Sequence, residues 1–204
     1  MLARTTTFWG DAEAVDAGIA YVRDDGLPAL STVPGSLGMS LVVDRQLGRC
    51  VATSSWLTAE DRSASLARLA SMRARGAKVF DASLVVEDWE VALMHRAQQA
   101  PEGTHCRLAW GRAADLDSLL STYREQFLPA LEQADGFCSA SIFLSRPEGR
   151  VFGTVTVDSL SALETTRELF AQRRRRISEL TGMVFDDVGE FELVLDTLRI
   201  PELA

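Results

Sequence analysis

The chain has 204 residues, 47% of them apolar and 25% charged, with a net charge of −8, the balance of an ordinary globular protein. The acidic excess argues against nucleic acid or an anionic membrane as a main partner, because both reward clustered positive charge. No apolar run approaches a membrane span and no basic-then-apolar leader opens the chain, so a cytoplasmic protein is expected.

In chain order, Thr5–Trp9 is β-rich and ends at Gly10. Asp11 can cap a helix with Val15, Ile19 and Val22 on one side. Pro28 lies near the end of that helix, and Pro34-Gly35 makes a firm stop. Leu37, Met39, Leu41 and Val43 alternate with smaller or polar residues, as a half-buried strand does. Asp44–Gly48 is a turn and Arg49–Leu57 a second strand, which together give a hairpin. Thr58-Ala59-Glu60-Asp61 resembles a capping box. It opens a helix with Leu66, Leu69, Ala70, Arg73 and Ala77 at helical spacing. Leu84–Leu93 closes the set as a strand, with Val85, Glu87, Trp89, Val91 and Leu93 on one face.

The same order then returns. Leu27–Leu30 and Leu128–Leu131 both read LPAL, 101 positions apart. At that offset, Trp9–Val79 has 18 identities in 71 ungapped positions, where composition alone gives roughly 4 or 5. Among them, Trp9-Gly10 falls on Trp110-Gly111, Arg45 on Arg146 and Arg73 on Arg174. One inserted residue brings Trp89-Glu90 onto Phe191-Glu192. The second half reads as strand 105–110, helix 113–132, hairpin 137–157, helix 160–180 and strand 185–196. The chain is a tandem duplication: a first unit at 1–96, a linker at 97–104 and a second unit at 105–204.

A βαββαβ unit is the ferredoxin-like arrangement, an antiparallel sheet with both helices on one face. Both parities of the hairpin strands carry bulky residues, so both faces want cover, and the open face of one copy can cover that of the other. The expected fold is α+β: two fused ferredoxin-like units, with antiparallel sheets packed face to face and a cavity between sheet and helices. The three cysteines, Cys50, Cys106 and Cys138, have no paired spacing and read as buried apolar groups in a reducing compartment.

The order of signals resembles the antibiotic biosynthesis monooxygenase (ABM) family of dimeric α/β barrels. The carriers are LPAL with a glycine five residues on (Leu27–Gly35), the hairpin Ser40–Trp56, the helix opening TAED and the aromatic Trp89. In that family a small ferredoxin-like chain pairs with a second copy. The resemblance therefore implies an intramolecular pseudo-dimer, with a further homodimer left open. It also implies a pocket aromatic at Trp56, while the second half has Val157 there, so the first half is the better candidate for a site.

Two functions stand open. One is a cofactor-free ABM-type monooxygenase acting on a small aromatic or quinol-like metabolite. Trp56 would stack on it, Arg73 would hold its anion, and Tyr21 or Glu87 would accept a proton. The other is a non-catalytic small-molecule-binding or structural module of the same fold. Competing roles are core packing for Trp56, and pairing of Arg73 and Arg174 with acids such as Glu87 or Glu190. Trp9 and Trp110, at one repeat position, are expected in the core, as are Trp89 and Phe191. The run Arg173–Arg176 reads mostly as a solvated face. With two histidines flanking the linker and no asparagine anywhere, neither a metal site, a haem-degrading site nor a catalytic triad shows. No phosphate-cradling glycine motif appears either, so no cofactor is expected.

Overall fold

The computed structural model describes residues 1–101, 103–199, 201 and 203. Glu102 of the linker and residues 200, 202 and 204 of the second unit lie outside the described residues. In the first half, β1 (Leu2–Trp9) leads through a 3-10 turn to α1 (Val15–Tyr21) and α2 (Leu27–Ser31). The hairpin β2 (Ser36–Asp44) and β3 (Arg49–Trp56) follows, then α3 (Ala59–Arg68), α4 (Ala70–Val79) and β4 (Ser83–Arg96). The second half gives β5 (His105–Arg112), α5 (Leu116–Thr122), α6 (Leu128–Leu131), β6 (Phe137–Ser145) and β7 (Arg150–Val157). It ends with α7 (Leu160–Thr165), α8 (Arg167–Thr181) and β8 (Val184–Asp196).

The repeated LPAL has a structural cause. A proline has no N–H to give and its ring clashes with the carbonyl four residues back. In each half the turn before the motif is a π-turn, Val22–Gly26 and Tyr123–Phe127, with Leu27 donating to the Val22 carbonyl and Leu128 to that of Tyr123. That extra residue lets Pro28 and Pro129 sit in one continuous helix. Gly35 then takes a positive φ of 74°, which favours glycine and turns the chain into β2.

The predicted cap at Thr58 forms, its hydroxyl accepting from the Asp61 backbone N–H, and the Ser159 hydroxyl accepts from the Ala162 N–H at the equivalent place in the second half. One stripe shifts from expectation. The helix breaks at Leu69 (φ −101°, ψ 7°), so the buried row is Ser65, Leu69, Arg73 and Gly76, while Leu66 is 48% exposed and Ala70 is also exposed.

All the strand pairs recorded residue by residue are antiparallel. Hydrogen bonding takes the strands in the closed order β1-β3-β2-β8-β5-β7-β6-β4, so the fold is the expected α/β barrel built of ferredoxin-like repeats. Two compact units can be distinguished. The first holds Met1–Glu90 and the end of β8 from Glu192, and the second holds Val91–Phe191. Each unit thus takes a strand end from the other repeat: Leu41 and Val43 of β2 pair with Leu195 and Glu192. Each has its own apolar core, around Phe8, Leu41, Trp56 and Phe80 in the first and Leu119, Phe127, Ile142 and Phe170 in the second. Cys50, Cys106 and Cys138 are free and buried. No helix among the described residues is long and apolar enough to cross a membrane.

The register corrects the alignment at the first strand. Trp9 stands opposite Arg49, but it is Arg112, not Trp110, that stands opposite the equivalent Arg150. The first strands therefore correspond at an offset of 103, not 101, with two fewer residues before the helix in the second unit. Trp9 is 43% exposed beside the Arg49 guanidinium, whereas Trp110 is 7% exposed and stacked on Phe152. The shared-core expectation fails for this pair because the match was a coincidence of sequence. It holds for Trp89 and Phe191, both almost fully buried.

Candidate functional site in the second unit

The offset of 103 uncovers a duplicated device that sequence reasoning missed. Arg4 of β1 is 3% exposed and clamps the Asp88 carboxylate through two donors, at 2.7 and 3.0 Å. It also donates to the Arg62 carbonyl and the Ser65 hydroxyl. Arg107 of β5, its structural counterpart, donates to Glu190, to the Leu163 carbonyl and to the Thr166 hydroxyl. In both units a buried guanidinium thus ties the first strand to the last strand and to the second helical region. A buried charge is tolerable only when its donors are satisfied in this way.

A second arginine lies beside each clamp. Arg73 is 8% exposed and, among the described residues, its side chain donates to the Leu66 carbonyl. Burial, with Arg4 adding to it, pulls its guanidinium below the usual value, and Asp88 opposes the shift. Burial does the same to Arg174, with Glu190 opposing. The acids facing this pair are therefore Asp88 and Glu190, where the sequence points to Glu87 and Glu190.

Each unit has a cavity between its sheet and its helices, and the two differ. The first has an empty volume of about 370 Å³, part of it open to solvent, lined by Arg4, Leu30, Met39, Trp56, Leu69 and Arg73 among others. The second has about 740 Å³ on the same terms. At two lining positions the second unit carries the smaller residue: Ala109 where the first has Thr6, and Gly153 where it has Ala52. The sequence makes the first half the better candidate for a site, whereas the larger of these two cavities lies in the second. Trp56 is wholly buried, with its N–H on the Ser54 hydroxyl at 3.2 Å, and it lines the first cavity.

The other expected residues separate. Trp56 and Arg73 share the first cavity. Tyr21 lies outside its lining and donates to the Met72 carbonyl at 3.0 Å. Glu87 pairs with Thr5, on the sheet face opposite Arg4 and the cavity. The four do not form one site.

The second cavity is walled by Leu119, Phe127, Ile142, Phe170, Ile177 and Met183, and its polar groups are few. The Tyr123 side chain lies in the wall with no hydrogen-bond partner among the described residues, and burial pushes its hydroxyl well above the usual phenol range. It is therefore a donor at neutral pH. Arg107, Arg173 and Arg174 also line the space. Arg107 is committed to its clamp and lies over the Phe170 ring at 4.7 Å. Arg173 stands where the first unit has Met72, and its Nε–H is buried with no partner among the described residues. Only the end of the arginine run is a solvated face: Arg175 and Arg176 are exposed and paired with Glu168 and Glu179. No group of three His, Cys, Asp or Glu side chains placed to hold a metal occurs among the described residues.

No family model matches the chain. It is 43% identical over 204 residues to the Mycobacterium tuberculosis protein Rv2557, a match covering 98% of this chain and 91% of the relative. Among solved structures it is similar to an anthrone oxidase-like protein, at 14% identity and a TM-score of 0.66, covering 95% of this chain and 91% of that one. It is also similar to a ferredoxin-fold protein from Listeria monocytogenes related to antibiotic biosynthesis monooxygenases. There the identity is 10% and the TM-score 0.55, with 96% of each chain covered. At such identities the likeness establishes the fold, which is the ABM-type α/β barrel.

Proposed function

The chain belongs to the family of the mycobacterial protein Rv2557, and from that premise we propose that its second repeat, residues 105–204, binds a small, weakly acidic aromatic molecule and oxidises it without a cofactor. The observation that carries the proposal is an apolar cavity in which one guanidinium, that of Arg173, has a buried and unpaired Nε–H. A buried donor left unmade is costly, and a phenolate or enolate oxygen would satisfy it. Tyr123 would donate a second hydrogen bond. The aromatic walls suit a planar ring.

The chemistry follows from the charge. Arginines facing a dry pocket favour the anion of an anthrone or hydroquinone and lower its pKa. Such a carbanion or phenolate reacts with dioxygen directly. For an anthrone-type methylene, one C–H bond ionises, a C–O bond forms, and loss of water after the second proton leaves yields the carbonyl. In balance, the methylene and a single dioxygen give the carbonyl and a single water. The methylene carbon supplies all the electrons, so no external reductant is needed. The protein's part is to orient the anion, stabilise it and exclude water. The anthrone oxidase-like neighbour supports this reading at the level of fold. A cytoplasmic setting fits three unpaired cysteines.

One observation favours the second reading, a binding module without catalysis: the residues lining the cavity include neither carboxylate nor imidazole, so no side chain there is placed to take the proton. The test is oxygen uptake by metal-stripped protein against a panel of anthrones and hydroquinones, beside Arg173→Gln, Tyr123→Phe and Arg73→Ala. Activity should fall about ten- to a hundredfold in Arg173→Gln, a loss of about 1.4–2.7 kcal/mol, and be unchanged in Arg73→Ala. Saturable binding without uptake would establish the binding module. Uptake equal in all four proteins would be autoxidation and would end the proposal.

A further inference from the structure

The smaller cavity of the first unit is not simply a collapsed copy of the larger one. Its walls divide into two kinds. Leu30, Met39, Leu69 and Met72 are apolar, whereas Arg4, Thr6 and Arg73 are cationic or hydroxylic. Arg4, Arg62 and Arg73 gather around the Asp88 carboxylate, which is already clamped by Arg4 and has Arg62 at 3.5 Å. Arg73 is more than nine-tenths buried, lines the cavity and makes only its bond to the Leu66 carbonyl. Its remaining donors make no hydrogen bond among the described residues, and neither does the hydroxyl of Thr6, which lines the same cavity. A guanidinium fork in low dielectric with donors to spare is a carboxylate site in waiting. The volume, about 370 Å³ with its solvent-open part included, leaves room for a few heavy atoms beyond the head group.

We infer that the first-unit cavity binds a short-chain monocarboxylate, its head group on Arg73 and Thr6 and its alkyl end against Leu69 and Met72. This site is separate from the aromatic site proposed for the second unit, so the duplication would have yielded two pockets of different selectivity. The shape of the lining argues for this class over an inorganic anion, which would leave the methionine and leucine wall unused. Trp56 closes the pocket to anything with a ring.

The test uses the full chain, uniformly labelled with 15N, titrated with sodium propionate and, at equal ionic strength, with sodium chloride. The reporter is the indole N–H of Trp56, one of four tryptophans, identified by its disappearance in Trp56→Phe. A saturable shift with propionate alone is expected, at an affinity of about 1 mM, some −4 kcal/mol. Arg73→Gln should weaken it at least about tenfold, the loss of one charge-assisted interaction, and Thr6→Val about threefold. Arg174→Gln should leave it unchanged. Where Arg73→Gln does not fold, Leu69→Phe decides, since it fills the pocket with the ring that Phe170 supplies in the other unit and should abolish the shift. An unmoved Trp56 signal at about 100 mM propionate, about a hundred times the affinity expected for such a site, would overturn the inference. So would an equal response to chloride, or an identical titration in Arg73→Gln or Leu69→Phe.

Discussion

Gly153 lies in mid-strand, paired with Ala109 on one side and Ile142 on the other, and it lines the larger cavity. Its φ is not positive, so nothing in the backbone demands glycine. A methyl group there would stand 3.4 Å from Ile142 Cδ1 and 3.9 Å from the Ser141 carbonyl oxygen, ordinary contact distances. Gly153→Ala should therefore stabilise the protein. Restricting the unfolded chain contributes about 0.4–1 kcal/mol. Removing one methyl group from water adds up to about 0.8 kcal/mol, reduced because the wall of an open cavity stays partly wet. The expected sum is about 0.5–1.5 kcal/mol, or a rise in Tm of about 1–6 °C for a chain of this length. Urea unfolding with an unchanged slope measures it. The same methyl narrows the pocket to the outline Ala52 gives the first unit, so binding of aromatic ligands should weaken while stability rises. A variant less stable than the parent, or one that binds as before, would refute the account of why the second cavity is larger.

The corrected register predicts unequal tryptophans: Trp110→Ala should cost about 3–5 kcal/mol in chemical denaturation, and Trp9→Ala less than about 1 kcal/mol. Glu190 is held below the ordinary glutamate value of 4.5, chiefly by the hydrogen bond from Arg167, with burial opposing and Arg107 adding. A carboxylate depressed in the folded state stabilises fully above its unfolded pKa and loses that contribution as pH falls through the folded value. The stability gap between the parent and Glu190→Gln should therefore be largest near neutrality and close on acidification below pH 4.5, as urea midpoints along a pH series will show. Burial pushes the Cys50 and Cys106 thiols up to about 12. Neither should react with an aromatic disulfide reagent at pH 8 until denaturant is added, and prompt labelling of either in the native protein would contradict the packing.

Much of this architecture is legible in the chain. The hairpin of β2 and β3, the Pro34-Gly35 stop and the capping hydroxyl of Thr58 are local signals, and the structure keeps all of them. The duplication is visible because the hairpins and helices correspond at one constant offset. What escapes depends on distance in space. Arg4 and Arg107 look like ordinary polar residues in β-rich runs, and a shift of two residues in the first strand sets Arg4 against His105. The break at Leu69 carries no proline or glycine to announce it, so helical spacing alone places Leu66 in the core. The larger cavity has smaller residues at Ala109 and Gly153, which lie on different strands and converge only in the fold.

The π-turn before each LPAL gives the molecule a history. An extra helical residue at the same place in both halves, followed by the same proline, is most simply inherited from a single ancestral chain, older than the duplication. The two residues missing between β5 and α5, and the exchange of Trp56 for Val157, distinguish the halves and so record events after it. On that chronology the helical frame preceded the doubling, and the connection after the first strand and the contents of the two chambers have changed since.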